Sequence, residues 1–130
     1  MLVENNKKIE TVYALLNKNA KVGTNLRDIY EKLPEIYSAA GIDKDEWRNH
    51  SIGGTTGYLP RENQLMDGAD YVIRENNMIG WNPSLPGVMA EDVYFRSKDR
   101  LDFVTWDDRW PLQEVIADGE KVLRPAIMVL

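Results

Sequence analysis

The chain has 130 residues, of which 43% are hydrophobic and 28% charged, and its formal net charge at pH 7 is −5. This length suffices for one domain with a real core, so residues 1–130 are treated as a single domain. The acidic balance argues against a nucleic-acid partner, because such domains usually carry a basic surface. The absence of cysteine excludes disulfides, thiolate zinc sites, iron–sulfur clusters and a cysteine nucleophile.

The N-terminal sequence lacks the apolar core of a secretory signal, and no apolar run approaches membrane-spanning length. Together with the lack of cysteine, this predicts a cytoplasmic protein without a membrane partner. The sequence enters a helical pattern almost at once. We therefore expect it to be an excised part of a longer protein.

Two amphipathic helices are predicted in the N-terminal third. Ile9, Val12, Tyr13 and Leu16 recur at helical spacing, which predicts a helix over residues 5–19. A second apolar stripe predicts a helix that starts at an N-cap on Thr24 and ends at Gly41. Pro34 interrupts this stripe and predicts a kink or a restart of the helix.

After residue 46, short extended runs alternate with turn residues. The predicted strands are Tyr71–Glu75, Met78–Trp81, Val88–Phe95, Leu101–Thr105, Gln113–Ala117 and Lys121–Leu123. Arg96–Arg100 is predicted as a polar turn, and Asp118-Gly119 is a strong hairpin signal. Two helices followed by a mostly antiparallel sheet indicate the α+β class.

The strand predicted over Val88–Phe95 contains a carboxylate in an apolar row. Alternation along the strand puts Glu91 on the face that also carries Met89, Val93 and Phe95. A buried carboxylate is costly unless it is paired, hydrogen-bonded or bound to a metal. Glu91 thus indicates either a functional site or a structural position, at a sheet edge or beside an arginine.

His50 is the only histidine, and Gly53, Gly54 and Gly57 follow it. The imidazole could contribute to a metal site together with carboxylates, or it could be structural in a glycine-rich turn. The glycines do not form a phosphate-binding loop, because Tyr58-Leu-Pro follows where such a loop needs a helix. There is no Gly-x-Ser-x-Gly sequence of a hydrolase nucleophile.

Three short motifs, taken in order, resemble one family. His50-Ser-Ile-Gly53, Trp81-Asn-Pro83 and Glu91-Asp92 are similar to motifs of the creatinase/aminopeptidase, or "pita-bread", metallopeptidases. That family includes Xaa-Pro dipeptidases, Xaa-Pro aminopeptidases and methionine aminopeptidases. The resemblance runs from about residue 8 to residue 130 and implies about half of a pita-bread catalytic domain, its C-terminal part.

The resemblance implies a role for several residues. Active relatives hold two divalent metals, such as Mn, Co or Zn, with two Asp, one His and two Glu ligands. His50 and Glu91 match the His ligand and the last Glu ligand, whereas Asn82 stands where the other Glu is expected. Asn82, Tyr58 and Arg61 would line the peptide-substrate cleft, although Arg61 could equally pair with Glu62 or a neighbouring acid. No residue is assigned a catalytic role.

The departures from the family pattern predict that this chain alone is inactive and binds no metal pair. The two Asp ligands have no counterpart here, because Asp28, Asp43 and Asp45 lie on the second helix and the loop after it. A further substrate-binding histidine of the family is replaced near Gly57 and Tyr58. The sequence therefore predicts a fragment or a degenerate relative of a Xaa-Pro dipeptidase or aminopeptidase, with a non-enzymatic binding or scaffold module as the alternative. In either case we expect a homodimer, or packing against a missing N-terminal half.

Overall fold

The computed structural model describes all 130 residues, and its first element is the long helix α1 (Leu2–Asn19). The helix begins at Leu2 rather than near residue 5. Its buried residues include Ile9, Val12, Tyr13 and Leu16, which is the apolar stripe that predicted it. None of the helices combines the length and the apolar character required to cross a membrane.

The second predicted helix is divided into α2 (Leu26–Glu31) and α3 (Leu33–Ala39), which confirms a restart at Pro34. Proline is tolerated in the first turn of α3 because the N–H that it lacks would have no helical partner there. The N-cap of α2 is Asn25, whose side chain accepts a hydrogen bond of 2.9 Å from the backbone N–H of Arg27. The prediction of Thr24 as the cap is thus wrong by one residue.

The C-terminal two-thirds form antiparallel strands after a short 3₁₀ helix at Glu46–Asn49. The strands are β1 (Gly53–Thr56), β2 (Asn63–Gln64), β3 (Asn77–Trp81), β4 (Ser84–Leu85), β5 (Val88–Met89), β6 (Asp92–Arg96), β7 (Leu101–Phe103), β8 (Leu112–Ala117) and β9 (Glu120–Pro125). Five of them form one sheet in the order β2-β1-β3-β6-β7, and β4-β5 and β8-β9 are separate two-stranded ladders. Helices followed by antiparallel strands confirm the α+β class.

Of the six predicted strands, four are confirmed with ends shifted by one or two residues, one is divided in two and one is absent. The segment predicted as Tyr71–Glu75 forms only an isolated bridge at Val72, because its backbone bonds to the connection between α1 and α2 rather than to a sheet. The predicted strand Val88–Phe95 is broken at Ala90 and Glu91, where the N–H of Ala90 donates to the carbonyl of Pro83. The Asp118-Gly119 hairpin is confirmed between β8 and β9, with both residues at positive φ.

The five-stranded sheet has two different faces. Its inner face carries Ile79, Trp81 and Tyr94, which are fully buried in one core with the helices. The indole N–H of Trp81 donates to the hydroxyl of Tyr94 at 2.9 Å, so this aromatic core leaves neither group unpaired. On the opposite, outer face strand alternation places Met78, Gly80 and the half-exposed Phe95.

Candidate functional site

The sequence-predicted site residues lie next to three adjacent strands. Gly53 of β1 pairs with Trp81 of β3, and Trp81 pairs with Asp92 of β6, so these residues form one row across the sheet. Asn82 directly follows that row and Glu91 directly precedes it, while His50 leads into β1 from the same end. The sheet thus brings three motifs that are distant in sequence to one of its ends.

The ring of His50 lies between a carbonyl and a tyrosine hydroxyl. Its Nδ1 is 3.0 Å from the carbonyl oxygen of Ser51, and its Nε2 is 3.4 Å from the hydroxyl of Tyr37. Burial raises the pKa of Tyr37 above its ordinary value, which keeps this hydroxyl protonated and able to donate. A cation on Nε2 would therefore have to displace the Tyr37 hydroxyl.

Asn82 is fixed by its backbone and leaves one buried side-chain atom unpaired. Its N–H donates to the carbonyl of Ile52 at 2.7 Å, which extends the β1–β3 ladder by one bond. Its Oδ1 is buried without a hydrogen-bond partner. A buried acceptor without a donor is unfavourable, so this oxygen is suited to a hydroxyl, an amide N–H or a cation.

The loop after β1 places Arg61 on the outer face, over β3. A Cβ at Gly80 would lie 3.3 Å from Nη1 of Arg61, so the missing side chain at Gly80 makes room for the guanidinium. Arg61 donates to the carbonyl of Pro60 and forms no ion pair, whereas the Glu62 carboxylate accepts from the N–H of Tyr58. The pairing of Arg61 with Glu62 is therefore not formed, and Tyr58 is 98% exposed.

Gly53 and Gly54 are required by strand packing rather than by a phosphate. Both have positive φ, of +122° and +158°. A Cβ on Gly53 would lie 2.0 Å from the carbonyl oxygen of Gly80, and one on Gly54 equally close to that of Asn63. The glycines after His50 therefore allow β1 to lie against both neighbouring strands.

The expectation that Glu91 lies in a buried apolar row is wrong. Glu91 is exposed, and the buried carboxylate of this motif is its neighbour Asp92. The break at Ala90 and Glu91 separates the strand in two, and the inner face of β6 is the one that carries Asp92 and Tyr94. The arginine expected as a partner of Glu91 is not found: Glu91 forms no ion pair, and the buried Arg124 pairs with Asp92.

Asp92 belongs to a buried ion cluster that the sequence reading missed. Arg124, whose side chain is 1% exposed, donates to Glu10 at 2.8 Å and to Asp92 at 2.7 Å. Its guanidinium carbon lies 3.9 Å from the ring centroid of Tyr13. Thr105 donates to the same Asp92 carboxylate, so the first helix, the central sheet and the last strand meet at one charge network.

Burial is the main influence on the pKa values of Glu10 and Tyr13. It raises the pKa of Glu10 to about 7, although the neighbouring Arg124 acts in the opposite direction. Burial also raises the pKa of Tyr13 well above its ordinary value, which keeps its hydroxyl protonated as the donor to the Asp92 carbonyl at 2.8 Å.

A signal for this cluster was present in α1. Asn6, Glu10, Tyr13 and Asn17 follow one another at helical spacing, and all four are buried. They form a polar stripe beside the apolar one, and three of them have hydrogen-bond partners on the strands. Buried polar residues at helical spacing would have predicted such partners.

The residues present do not by themselves fit a binuclear metal site. No group of three or more His, Asp or Glu side chains is arranged to hold a metal ion. The ring nitrogens of His50 are engaged, and an amide stands at residue 82. The chain as a whole matches no family model, and no curated protein matches it either.

Proposed function

We propose that this chain is the C-terminal part of a pita-bread catalytic domain, related to Xaa-Pro dipeptidases and aminopeptidases, and that it is inactive alone. The proposal rests on one observation: the three motifs lie at the same end of the sheet. His50, Asn82 and Glu91 lie next to the row that Gly53, Trp81 and Asp92 form across three adjacent strands. In the family that the motifs resemble, the corresponding positions supply metal ligands from adjacent strands.

Two side chains near the end of β3 support the proposal that this end binds a peptide substrate. The unpaired Oδ1 of Asn82 and the guanidinium of Arg61 offer an acceptor and a cationic donor next to β3. A peptide substrate carries both amide N–H groups and a carboxylate, which these two side chains could bind. Two divalent ions would activate a water molecule in a complete member of the family.

Two of the five family ligands are present in this chain, which are too few to hold two divalent ions. Asp28 lies in α2, and Asp43 and Asp45 lie in the loop before the 3₁₀ helix. They do not replace the Asp pair of the family, because no three-ligand group includes them. The proposed peptidase is therefore a longer chain, or a complex, that also contributes two Asp ligands.

The proposal is tested by comparing the chain with an extended one. The purified chain, assayed with Mn²⁺ and with Co²⁺ on a Xaa-Pro dipeptide, should cleave nothing; efficient cleavage would refute the inactivity. A longer chain with an Asp pair N-terminal to residue 1 should cleave the dipeptide. His50→Ala or Glu91→Ala should abolish that cleavage, whereas Glu35→Ala, an exposed change on α3, should leave it intact.

The second candidate is a non-enzymatic binding or scaffold module that keeps the fold. Asn82 favours it, because a neutral amide is a poorer ligand for a hard cation than a carboxylate. The engaged ring of His50 favours it as well. A longer chain that folds, carries the Asp pair and still lacks peptidase activity would establish this second function instead of the first.

The proposal includes self-association of the chain when its other half is missing. Leu112, Ile116 and Leu123 are exposed on one face of the β8–β9 hairpin, where an additional layer could pack. Sedimentation should detect a dimer that Ile116→Lys dissociates, and a monomer at high concentration would contradict this part.

A cytoplasmic location also belongs to the proposal, and the absence of cysteine supports it.

A further inference from the structure

The hydroxyl of Tyr37 has one hydrogen-bond partner in the protein, the ring of His50. Its oxygen lies 3.4 Å from Nε2 of His50, and the two ring centroids are 6.1 Å apart. Tyr37 itself is fully buried. The carbonyl of Tyr37 accepts a hydrogen bond of 3.0 Å from the N–H of Ile42, just after the end of α3. The backbone that carries this hydroxyl is therefore held in place.

The other ring nitrogen of His50 determines which tautomer the ring adopts. Nδ1 lies 3.0 Å from the carbonyl oxygen of Ser51. A carbonyl oxygen can only accept a hydrogen bond, so Nδ1 carries a hydrogen. In a neutral imidazole the second nitrogen then has no hydrogen and can only accept. Nε2 of His50 is thus the acceptor, and the Tyr37 hydroxyl is the donor.

This hydrogen bond occupies the atom of His50 that a cation would need. A metal ion binds the lone pair of a ring nitrogen, and a backbone carbonyl on the opposite N–H is the usual way in which such a histidine is oriented. A cation at Nε2 would displace the Tyr37 hydroxyl and leave it buried without its only partner. A buried donor without an acceptor is unfavourable, so the hydroxyl and the cation compete.

We propose that Tyr37 is a positioning residue that holds His50 in the Nδ1–H tautomer and competes with a divalent cation for Nε2. A cation binds His50 only after the Tyr37 hydroxyl has moved away. Tyr37 thereby favours the cation-free state of this end of the sheet. The role of the cation rests on the proposed function, whereas the tautomer is a property of this chain alone.

The tautomer is tested by ¹⁵N NMR of the full chain, in which the ring signals are unambiguous because His50 is the only histidine. At about pH 8.5, where an ordinary imidazole is neutral, the wild type should carry a hydrogen on Nδ1 and none on Nε2. Tyr37→Phe should shift the Nε2 signal, because the nitrogen loses its donor. A wild-type ring with the hydrogen on Nε2 would overturn the proposal, and this measurement needs no variant that folds.

The competition is tested by titrating Zn²⁺ into the wild type and Tyr37→Phe while the ring signals of His50 are followed. Tyr37→Phe should bind Zn²⁺ about two- to tenfold more tightly, which is the equivalent of one hydrogen bond. The matched control is Tyr71→Phe, because the Tyr71 hydroxyl donates to Asn77 at 3.0 Å and does not contact His50. It should bind Zn²⁺ as the wild type does.

Equal Zn²⁺ affinity of the wild type and Tyr37→Phe, or no binding at His50 in either, would refute the competition. An equal gain in Tyr71→Phe would refute it as well, since the gain would then not depend on the contact with His50. These outcomes are distinct from failure of the proposed function. An extended chain that lacks peptidase activity would refute that function and leave the tautomer and the Zn²⁺ affinities of this chain unchanged.

Discussion

The carboxylate of Glu10 and the guanidinium of Arg124 are 114 positions apart in the chain and are joined by a buried hydrogen bond of 2.8 Å. This bond connects α1 to β9, the first and last elements of the fold. Asp92 in β6 shares the same guanidinium. The terminal elements are therefore held to the central sheet by one charge network as well as by apolar packing.

Replacement of Arg124 by Met should destabilise the protein by about 3–5 kcal/mol, because the buried carboxyl groups of Glu10 and Asp92 would lose their shared hydrogen-bond donor and counter-charge. Urea denaturation at pH 7 measures the change in the free energy of unfolding. Arg100→Met is the control, since its ion pair with Asp102 is exposed and should be worth about 1 kcal/mol or less. A loss below about 1 kcal/mol for Arg124→Met would contradict the assigned role.

The buried carboxyl of Glu10 should make stability depend on pH. Its pKa is raised from 4.5 to about 7 in the folded protein, so the folded state binds more protons than the unfolded state between these values. The contribution of the protonated Glu10 side chain to the free energy of unfolding is present in full below pH 4.5 and is lost as the pH rises through about 7. Relative to Glu10→Gln, the free energy of unfolding of the wild type should fall by up to about 3 kcal/mol across this range.

Urea denaturation of both proteins at intervals from pH 4.5 to pH 8 checks this prediction. Glu35→Gln, an exposed change on α3, is the control and should not alter the pH dependence. A constant difference in the free energy of unfolding between wild type and Glu10→Gln over the whole pH range would show that Glu10 titrates in the same way in the folded and unfolded states.

Gly53→Ala should be much more harmful than Gly68→Ala. Both glycines have positive φ, so both substitutions carry a backbone cost. Only at Gly53 would the added Cβ meet the carbonyl oxygen of Gly80, whereas nothing lies within 4 Å at Gly68. We expect an additional loss of about 2 kcal/mol or more at Gly53. Thermal unfolding compares the stabilities of the two variants. Equal losses of stability would contradict the close approach of β1 to β3.

Asn82→Glu should increase the affinity of the chain for Mn²⁺, if the proposed sheet end is a metal-site remnant. The new carboxylate would lie between His50 and Glu91 at adjacent strand ends, and carboxylates suit this cation. We expect at least about a tenfold gain in calorimetric titrations, equivalent to one added charged ligand. Glu91→Ala in the same background should remove the gain.

Gln64→Glu on the edge strand β2 is the matched control, because it adds the same charge elsewhere on the sheet. It should leave Mn²⁺ binding at the wild-type level. An equal gain for Gln64→Glu would mean that the cation responds to net charge, and the residual ligands would then not meet in space.

The sequence predicted local elements well and the partners of those elements poorly. The stripe of α1, the restart at Pro34 and the Asp118-Gly119 hairpin depend on residues close together in the chain, and each is observed. The glycine-rich strand β1 was missed, because Gly53 and Gly54 lack strand propensity and are explained only by β3 and β2. The prediction of one unbroken strand through Glu91 was wrong because β5 pairs with β4, whereas β6 pairs with β3 and β7, so the chain changes partners at Ala90 and Glu91.

By itself, then, the sequence determined the α+β class, the helical third, the main hairpins and the order of the three motifs, because periodicity and turn chemistry act over a few residues. Only the tertiary structure decided that Asp92 rather than Glu91 is buried, and that Arg124 is its partner. Such pairings arise where distant segments exclude water together, and no local pattern specifies which segments meet.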